Sequence, residues 1–228
     1  MIRNFADFCE ELQQCGFSMG GGNAKGIFAL IDYDWQAPEN ATMPIKWHTG
    51  DPETDPWQWR IRVLTERKDI AYAKVFFGTS GYITREWYPY FLAVRRGERE
   101  FEDFYETGKV SVLEKDIYEL IRTNGKVPLH LLKQDCGITK ETSGKFDRVL
   151  TNLQRNLFVT MCGTAPRVSK NGEVYGWDST VFCTVEEFWG ADLRQDISME
   201  KAYVRIREQI FKLNPQAEEK NIKKFILD

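Results

Sequence analysis

The residues best suited to chemistry lie between positions 47 and 60, where aromatic, acidic and basic side chains alternate. Indole rings beside an arginine favour a pocket in which a planar ligand stacks. The side chains expected to line it are Trp47, His48, Asp55, Trp57, Trp59 and Arg60. The alternative is structural, because tryptophan is mostly buried for packing: Trp57 and Trp59 would anchor a core in which Arg60 satisfies a buried carboxylate.

Proton transfer in this stretch would fall to His48, Glu53 or Asp55. Asp55 also precedes Pro56, and this pair suits the beginning of a helix because the carboxylate caps it and proline presets the first turn. A cap or a surface group is the simpler explanation of each of the three side chains. No catalytic residue is therefore assigned.

A second group of polar residues recurs at helical spacing between positions 143 and 155. Four large apolar residues fall on one stripe of a helix, because they follow one another at intervals of four, three and four. They are Phe146, Leu150, Leu153 and Leu157. The candidate DNA-contacting residues lie away from that stripe or at its start, and they are Ser143, Lys145, Arg148, Asn152 and Arg155. Such side chains contact phosphates and base edges in a major groove, whereas the alternative is a solvated helix face. Thr142 or Ser143 is expected to cap this helix.

The preceding segments supply two more helices. Spaced apolar residues predict a helix from Val112 to Ile121 that ends at Asn124 and Gly125. Pro128 suits the beginning of a short helix that closes before Gly137. A turn containing glycine between a short helix and a longer helix with a polar face is the helix-turn-helix pattern.

Beyond Leu157 the pattern changes to that of two strands, one beginning at Phe158 and one spanning Val174 to Thr184. The connection contains an Asn-Gly pair, which favours a hairpin turn. Arg167 and Lys170 are expected at the tip of this hairpin, where a wing would contact the backbone of a duplex. The order of helices and hairpin predicts a winged helix-turn-helix.

The rest of the chain favours helices around this segment. We predict a mainly α (α+β) fold, in which a winged helix-turn-helix with a β-hairpin wing is flanked by an aromatic-rich helical N-terminal half and by C-terminal helices. Three parts are expected. Residues 1–108 form the aromatic-rich helical region, residues 109–190 the winged-helix domain, and residues 191–228 C-terminal helices that pack back on the core.

Composition excludes several classes of protein. With 42% hydrophobic residues in 228, the chain is globular rather than disordered. It has no apolar run long enough for a membrane span, and a cytoplasmic location is expected. Five cysteines without a Cys-x-x-Cys pair indicate a reducing compartment, and two histidines argue against a metal site. Neither a metal nor a cofactor is expected.

The charge distribution bears on nucleic-acid binding. The net charge of −3 is unfavourable, because non-specific affinity comes from neutralising phosphates. The charge is uneven, however, since six cations face two carboxylates between Gly137 and Lys170. A local basic patch of this kind can bind DNA on an acidic protein.

Three stretches carry a resemblance to a known family: Asp51 to Arg60, Gly81 to Leu92, and the segment from Ser111 onward. They resemble bacterial proteins described as AlkZ-related, which are similar to winged-helix DNA glycosylases of the AlkZ/YcaQ kind that excise alkylated bases and unhook crosslinks. The resemblance implies double-stranded DNA as the partner. The catalytic motif of those glycosylases is a glutamine, then one residue, then an aspartate or a glutamine. This sequence contains no such triplet. Excision chemistry is therefore assigned to no residue.

Three functions remain open. The first is binding of nucleic acid without the glycosylase motif. The second is a diverged DNA glycosylase whose aromatic block forms a base pocket; it would release a free base from alkylated duplex and lose that activity on Asp55→Asn or Trp57→Ala. The third is a winged helix used for contact with a protein partner or in a homodimer, with the N-terminal half binding a small planar ligand.

Overall fold

The computed structural model describes residues 2–32, 46–169, 171–190, 193 and 195–227. In these ranges the chain forms helices α1 (Phe5–Cys15), α2 (Pro56–Glu66), α3 (Tyr88–Arg95), α4 (Phe101–Glu106), α5 (Val112–Asn124), α6 (Leu129–Asp135), α7 (Ser143–Arg155), α8 (Val185–Trp189), α9 (Met199–Leu213) and α10 (Glu219–Leu227). The strands are β1 (Phe17–Met19), β2 (Ile70–Phe76), β3 (Thr79–Thr84), β4 (Val127–Pro128), β5 (Val159–Ala165) and β6 (Ser179–Thr184).

The six strands form one antiparallel sheet in the order β1, β3, β2, β5, β6, β4. It consists of two hairpins, β2–β3 and β5–β6, which are joined where Tyr72 of β2 pairs with Met161 of β5. The sheet therefore takes strands from both sides of residue 108. The fold is a mixture of helices and antiparallel sheet.

Strands β1, β2 and β3 correct the expectation of a helical N-terminal half. All residues of β2 except the half-buried Lys74 are buried. A strand covered on both faces lacks the alternation of apolar and polar residues that marks a half-exposed strand. For that reason the sequence pattern did not reveal the first half of the sheet.

Helices cover both faces of the sheet and enclose two cores. Successive residues of β2 point to opposite faces. Tyr72 joins the core that contains the apolar stripes of α1, α2, α5 and α7, whereas Ala71 and Val75 join the core under α3, α9 and α10. In the second core Phe225 of α10 stacks on Phe76, with ring centroids 3.9 Å apart. The last helix thus packs directly on the sheet.

The capping residues explain where the helices begin. Asp55 accepts a hydrogen bond from the Trp57 backbone and begins α2, which confirms the predicted helix start. The prediction for α7 was wrong in one detail. Thr142 occupies the cap position, but its hydroxyl accepts a hydrogen bond from the Thr139 backbone instead of capping α7, and Ser143 does not cap it either.

The segment from α5 to β6 contains the predicted three helices and hairpin in the predicted order. It also contains β4, which pairs with β6 and extends the hairpin to three strands. The second strand of the hairpin is shorter than predicted, because it begins at Ser179 rather than Val174. The intervening loop closes on itself instead, through an isolated bridge between Val168 and Val174.

Candidate functional site

The outer face of α7 carries cations toward solvent. Phe146 and Leu153 are buried against the first core, whereas Lys145 and Arg148 are exposed. At about 100° per residue, Arg148 lies nearly opposite the buried stripe. Neither cation forms an ion pair with a carboxylate in the described ranges. This face of α7 therefore presents two positive charges that the protein does not neutralise.

The end of α7 is more enclosed. Arg155 is half-buried, and its guanidinium approaches the side-chain oxygen of the half-buried Asn152 at 3.5 Å. The backbone carbonyl of Arg155 accepts a hydrogen bond of 2.9 Å from Arg95 of α3. Arg155 and Asn152 are thus tied to the body of the protein more closely than Lys145 and Arg148.

Ser143 lies in a small network that joins α6 to α7. The ammonium group of Lys133 lies 2.8 Å from a carboxylate oxygen of Asp147 and donates to the Ser143 hydroxyl at 3.3 Å. Ser143 is half-buried as a result. The network fixes the two helices against each other and occupies the only carboxylate inside α7.

The loop between β5 and β6 contains the other two candidate cations. Arg167 is half-buried, and its carbonyl accepts a hydrogen bond from Tyr175 across the loop. Lys170 lies outside the described residues. The loop also exposes four large apolar side chains, Val168, Val174, Tyr175 and Trp177. Exposed apolar groups gathered in one place mark surfaces that contact a partner.

A cleft of about 540 Å³ separates α2 from this loop. The α2 wall carries a tight stack, in which the Arg60 guanidinium carbon lies 3.5 Å from the centre of the Trp57 ring. His48 lies against the same ring at 5.0 Å. The hairpin supplies another part of the lining, which includes Thr164, Gly176, Trp177, Asp178 and Thr180.

A second groove lies beside α7. It measures about 210 Å³ and is lined by Asp147 and Thr151 of α7. Arg60 and Thr180 border both this groove and the cleft. The two cavities are therefore neighbours on the surface.

Three of the six predicted pocket residues line the cleft and three do not. His48, Trp57 and Arg60 line the cleft. Trp59 is fully buried, where it stacks on Phe8 with ring centroids 5.2 Å apart. Asp55 is also fully buried, and its carboxylate accepts backbone hydrogen bonds from three residues. They are His48, Gly50 and Trp57.

Trp47 lies apart from the cleft lining. It is half-buried and faces Gly21, where an added Cβ would lie 3.3 Å from the Trp47 ring. Trp177 and Asp178, by contrast, were not among the predicted pocket residues. The signal that would have found Trp177 is a tryptophan in a loop otherwise rich in glycine and polar residues, because such a side chain has no core to enter.

The cysteines are free thiols in the structure. Burial raises the pKa of Cys15 to about 12, so this thiol stays protonated at neutral pH. The hydrogen bond with Cys162 raises the pKa of Cys183 above its ordinary value. Within the described part of the chain, no three His, Cys, Asp or Glu side chains are grouped to hold a metal ion. No helix among those residues is long and apolar enough to cross a membrane.

Comparison with known proteins gives one family. The family model described as AlkZ related matches residues 2–227. No curated protein matches the chain. Among solved structures, the Streptomyces sahachiroi DNA glycosylase AlkZ is similar at 11% sequence identity and a TM-score of 0.41, over 75% of this chain. The match covers 50% of that enzyme, so this chain corresponds to about half its length.

Proposed function

The chain belongs to the AlkZ-related family, and from this membership and the exposed face of α7 we propose that it is a winged-helix protein that binds duplex DNA in a repair-related role. The contact surface is α7 together with the β5–β6 hairpin. The proposal concerns binding. It assigns base excision to no residue, because the sequence lacks the glutamine motif of the related glycosylases.

The winged-helix assignment is supported by the order and pairing of the elements. Helices α5, α6 and α7 are followed by the hairpin β5–β6, and β4 lies between α5 and α6 and pairs with β6. In a helix-turn-helix the second helix enters the major groove and its neighbour crosses the backbone. On this assignment α7 reads the groove, and the hairpin contacts the adjacent backbone.

The single observation that carries the proposal is the exposure of Lys145 and Arg148 without a carboxylate partner in the described ranges. An exposed cation that the protein does not neutralise gains most from a phosphate, because binding releases condensed counterions. Asp147 is the nearest carboxylate in sequence, and it is paired with Lys133. The local charge is therefore positive although the net charge of the protein is −3.

The test is the double charge reversal Lys145→Glu with Arg148→Glu, measured by fluorescence anisotropy with a labelled, fully paired duplex. We expect affinity at low salt to fall at least about tenfold, because two phosphate contacts become repulsive. The plot of log affinity against log salt should also become shallower by about two, one for each lost contact.

The matched control is Lys220→Glu with Lys223→Glu on α10. Both lysines are exposed, and α10 packs with the second core rather than the first. The control changes the net charge by the same amount. Because α10 lies outside the proposed contact surface, the control should leave most of the affinity for DNA intact. Unchanged binding by the α7 variant, or an equal loss in both variants, would contradict the proposal.

A further inference from the structure

Arg60 is held in place but is not neutralised. Its guanidinium is stacked on Trp57, and its Nε atom is buried with no hydrogen-bond partner in the part of the chain that the structure describes. It forms no ion pair with a described carboxylate. A buried donor without a partner is costly. Arg60 also lines the cleft, so a ligand there can accept hydrogen bonds from the two outer nitrogen atoms of its guanidinium.

Trp177 provides a flat surface in the part of the cleft that the hairpin lines. It is 85% exposed, so it contributes little to the packing of the hairpin. The loop is closed by backbone hydrogen bonds instead, among them Ser169 to Glu173 and Tyr175 to Arg167. Because the indole ring is not needed to hold the loop, its exposure favours a role in binding. Exposed indole rings stack well on planar ligands.

The chemistry around the two rings is mixed. Asp178 offers acceptors, Thr164 and Thr180 offer hydroxyl groups, and Arg60 offers donors. A nucleobase has a π face for stacking and an edge that carries both donors and acceptors. A volume of about 540 Å³ is ample for one base, since ligand pockets commonly measure about 300–1,000 Å³.

We propose that this cleft receives an unpaired nucleobase from a DNA strand bound along α7. The base stacks on Trp177, and Arg60 and Asp178 bind its edge. Arg60 and Thr180 border both the cleft and the groove beside α7, so a base in the cleft would lie next to a strand bound along that helix. This inference rests on the proposed function, because it requires the DNA to lie along α7.

The experiment compares two labelled duplexes of equal length, one fully paired and one with a single bulged thymine. We expect the bulged duplex to bind about five- to tenfold more tightly to the wild-type protein, since stacking one base on an aromatic side chain commonly contributes this much or more. Trp177→Ala should remove the preference, so that the two duplexes bind with nearly equal affinity. Arg60→Gln should reduce the preference as well.

Tyr175→Ala is the matched control. Tyr175 is another exposed aromatic residue of the same loop, but it does not line the cleft. Its loss should preserve the preference for the bulged duplex. If Trp177→Ala and Tyr175→Ala weaken both duplexes equally, the loop contacts the backbone only and the inference is overturned.

Two further outcomes separate this inference from the proposed function. Normal binding of the paired duplex with no preference for the bulged one overturns the base pocket alone. Absence of binding to either duplex overturns the proposed function as well. Free nucleotide is the other source of a base. Quenching of tryptophan fluorescence by thymidine monophosphate in the wild type but not in Trp177→Ala, without a preference for the bulged duplex, would also overturn the DNA-bound form.

Discussion

Replacement of Arg95 by methionine is expected to lower the free energy of unfolding by about 3–5 kcal/mol. Arg95 is 5% exposed and donates to four backbone carbonyls. They belong to Val75, Arg155, Phe225 and Ile226, at 2.8 to 3.0 Å. Methionine fills part of the space but donates to none of them. Four carbonyl groups from three elements would then lose a charged partner while they remain largely buried.

The measurement is unfolding in guanidinium chloride, followed by circular dichroism. For a chain of this size each kcal/mol of lost stability lowers the melting temperature by about 2–4 °C. The melting temperature of Arg95→Met should therefore fall by roughly 10 °C. Arg148→Met is the matched control, because Arg148 is exposed, and its stability should change by no more than about 0.5 kcal/mol. A loss below about 1 kcal/mol for Arg95→Met would show that the carbonyls find other partners.

Replacement of Asp55 by alanine is expected to cost about 2–4 kcal/mol of stability. One carboxylate oxygen of this fully buried residue accepts from the backbones of His48 and Trp57, at 3.1 and 2.8 Å. The other accepts from the Gly50 backbone at 3.0 Å. Alanine removes the cap of α2 and frees the loop that carries His48. The cleft wall would therefore loosen along with the helix.

Asp55→Asn tests how much of this stabilisation depends on the second carboxylate oxygen. Asparagine is a good cap and keeps one oxygen for Trp57 and His48, whereas its amide nitrogen, in place of the second oxygen, cannot accept from Gly50. We expect a cost of about 1–2 kcal/mol, clearly smaller than that of alanine. The same denaturant titration ranks the two variants. Equal stabilities for wild type and Asp55→Ala would show that the carboxylate does not hold this loop.

Local sequence was enough to predict the helices that bury apolar residues along one side. In α7 the spacing of Phe146, Leu150 and Leu153 alone places these residues on one side, because the geometry of a helix repeats every few residues. Asp55 with Pro56 marked the beginning of α2. These signals are read within a few residues and need no knowledge of the rest of the chain.

The sheet could not be read in the same way. Its two hairpins meet at Tyr72 and Met161, which are far apart in the sequence. Strand β2 is covered on both faces, so nearly all of its residues are apolar and buried. Such a run lacks the alternation of apolar and polar residues that would distinguish a strand from a buried helix. Which strands become neighbours is decided by burial on both faces at once.

The candidate site shows the same division. The order of residues along the chain placed Trp57, Trp59 and Arg60 in one short stretch and Trp177 in a polar loop. Long-range packing buried Trp59 in the core, left Trp57 under Arg60 at the surface, and brought Trp177 into the lining of the same cleft. The physical reason is that burial depends on contacts between distant segments, whereas sequence spacing records only the side of its own helix on which a residue lies.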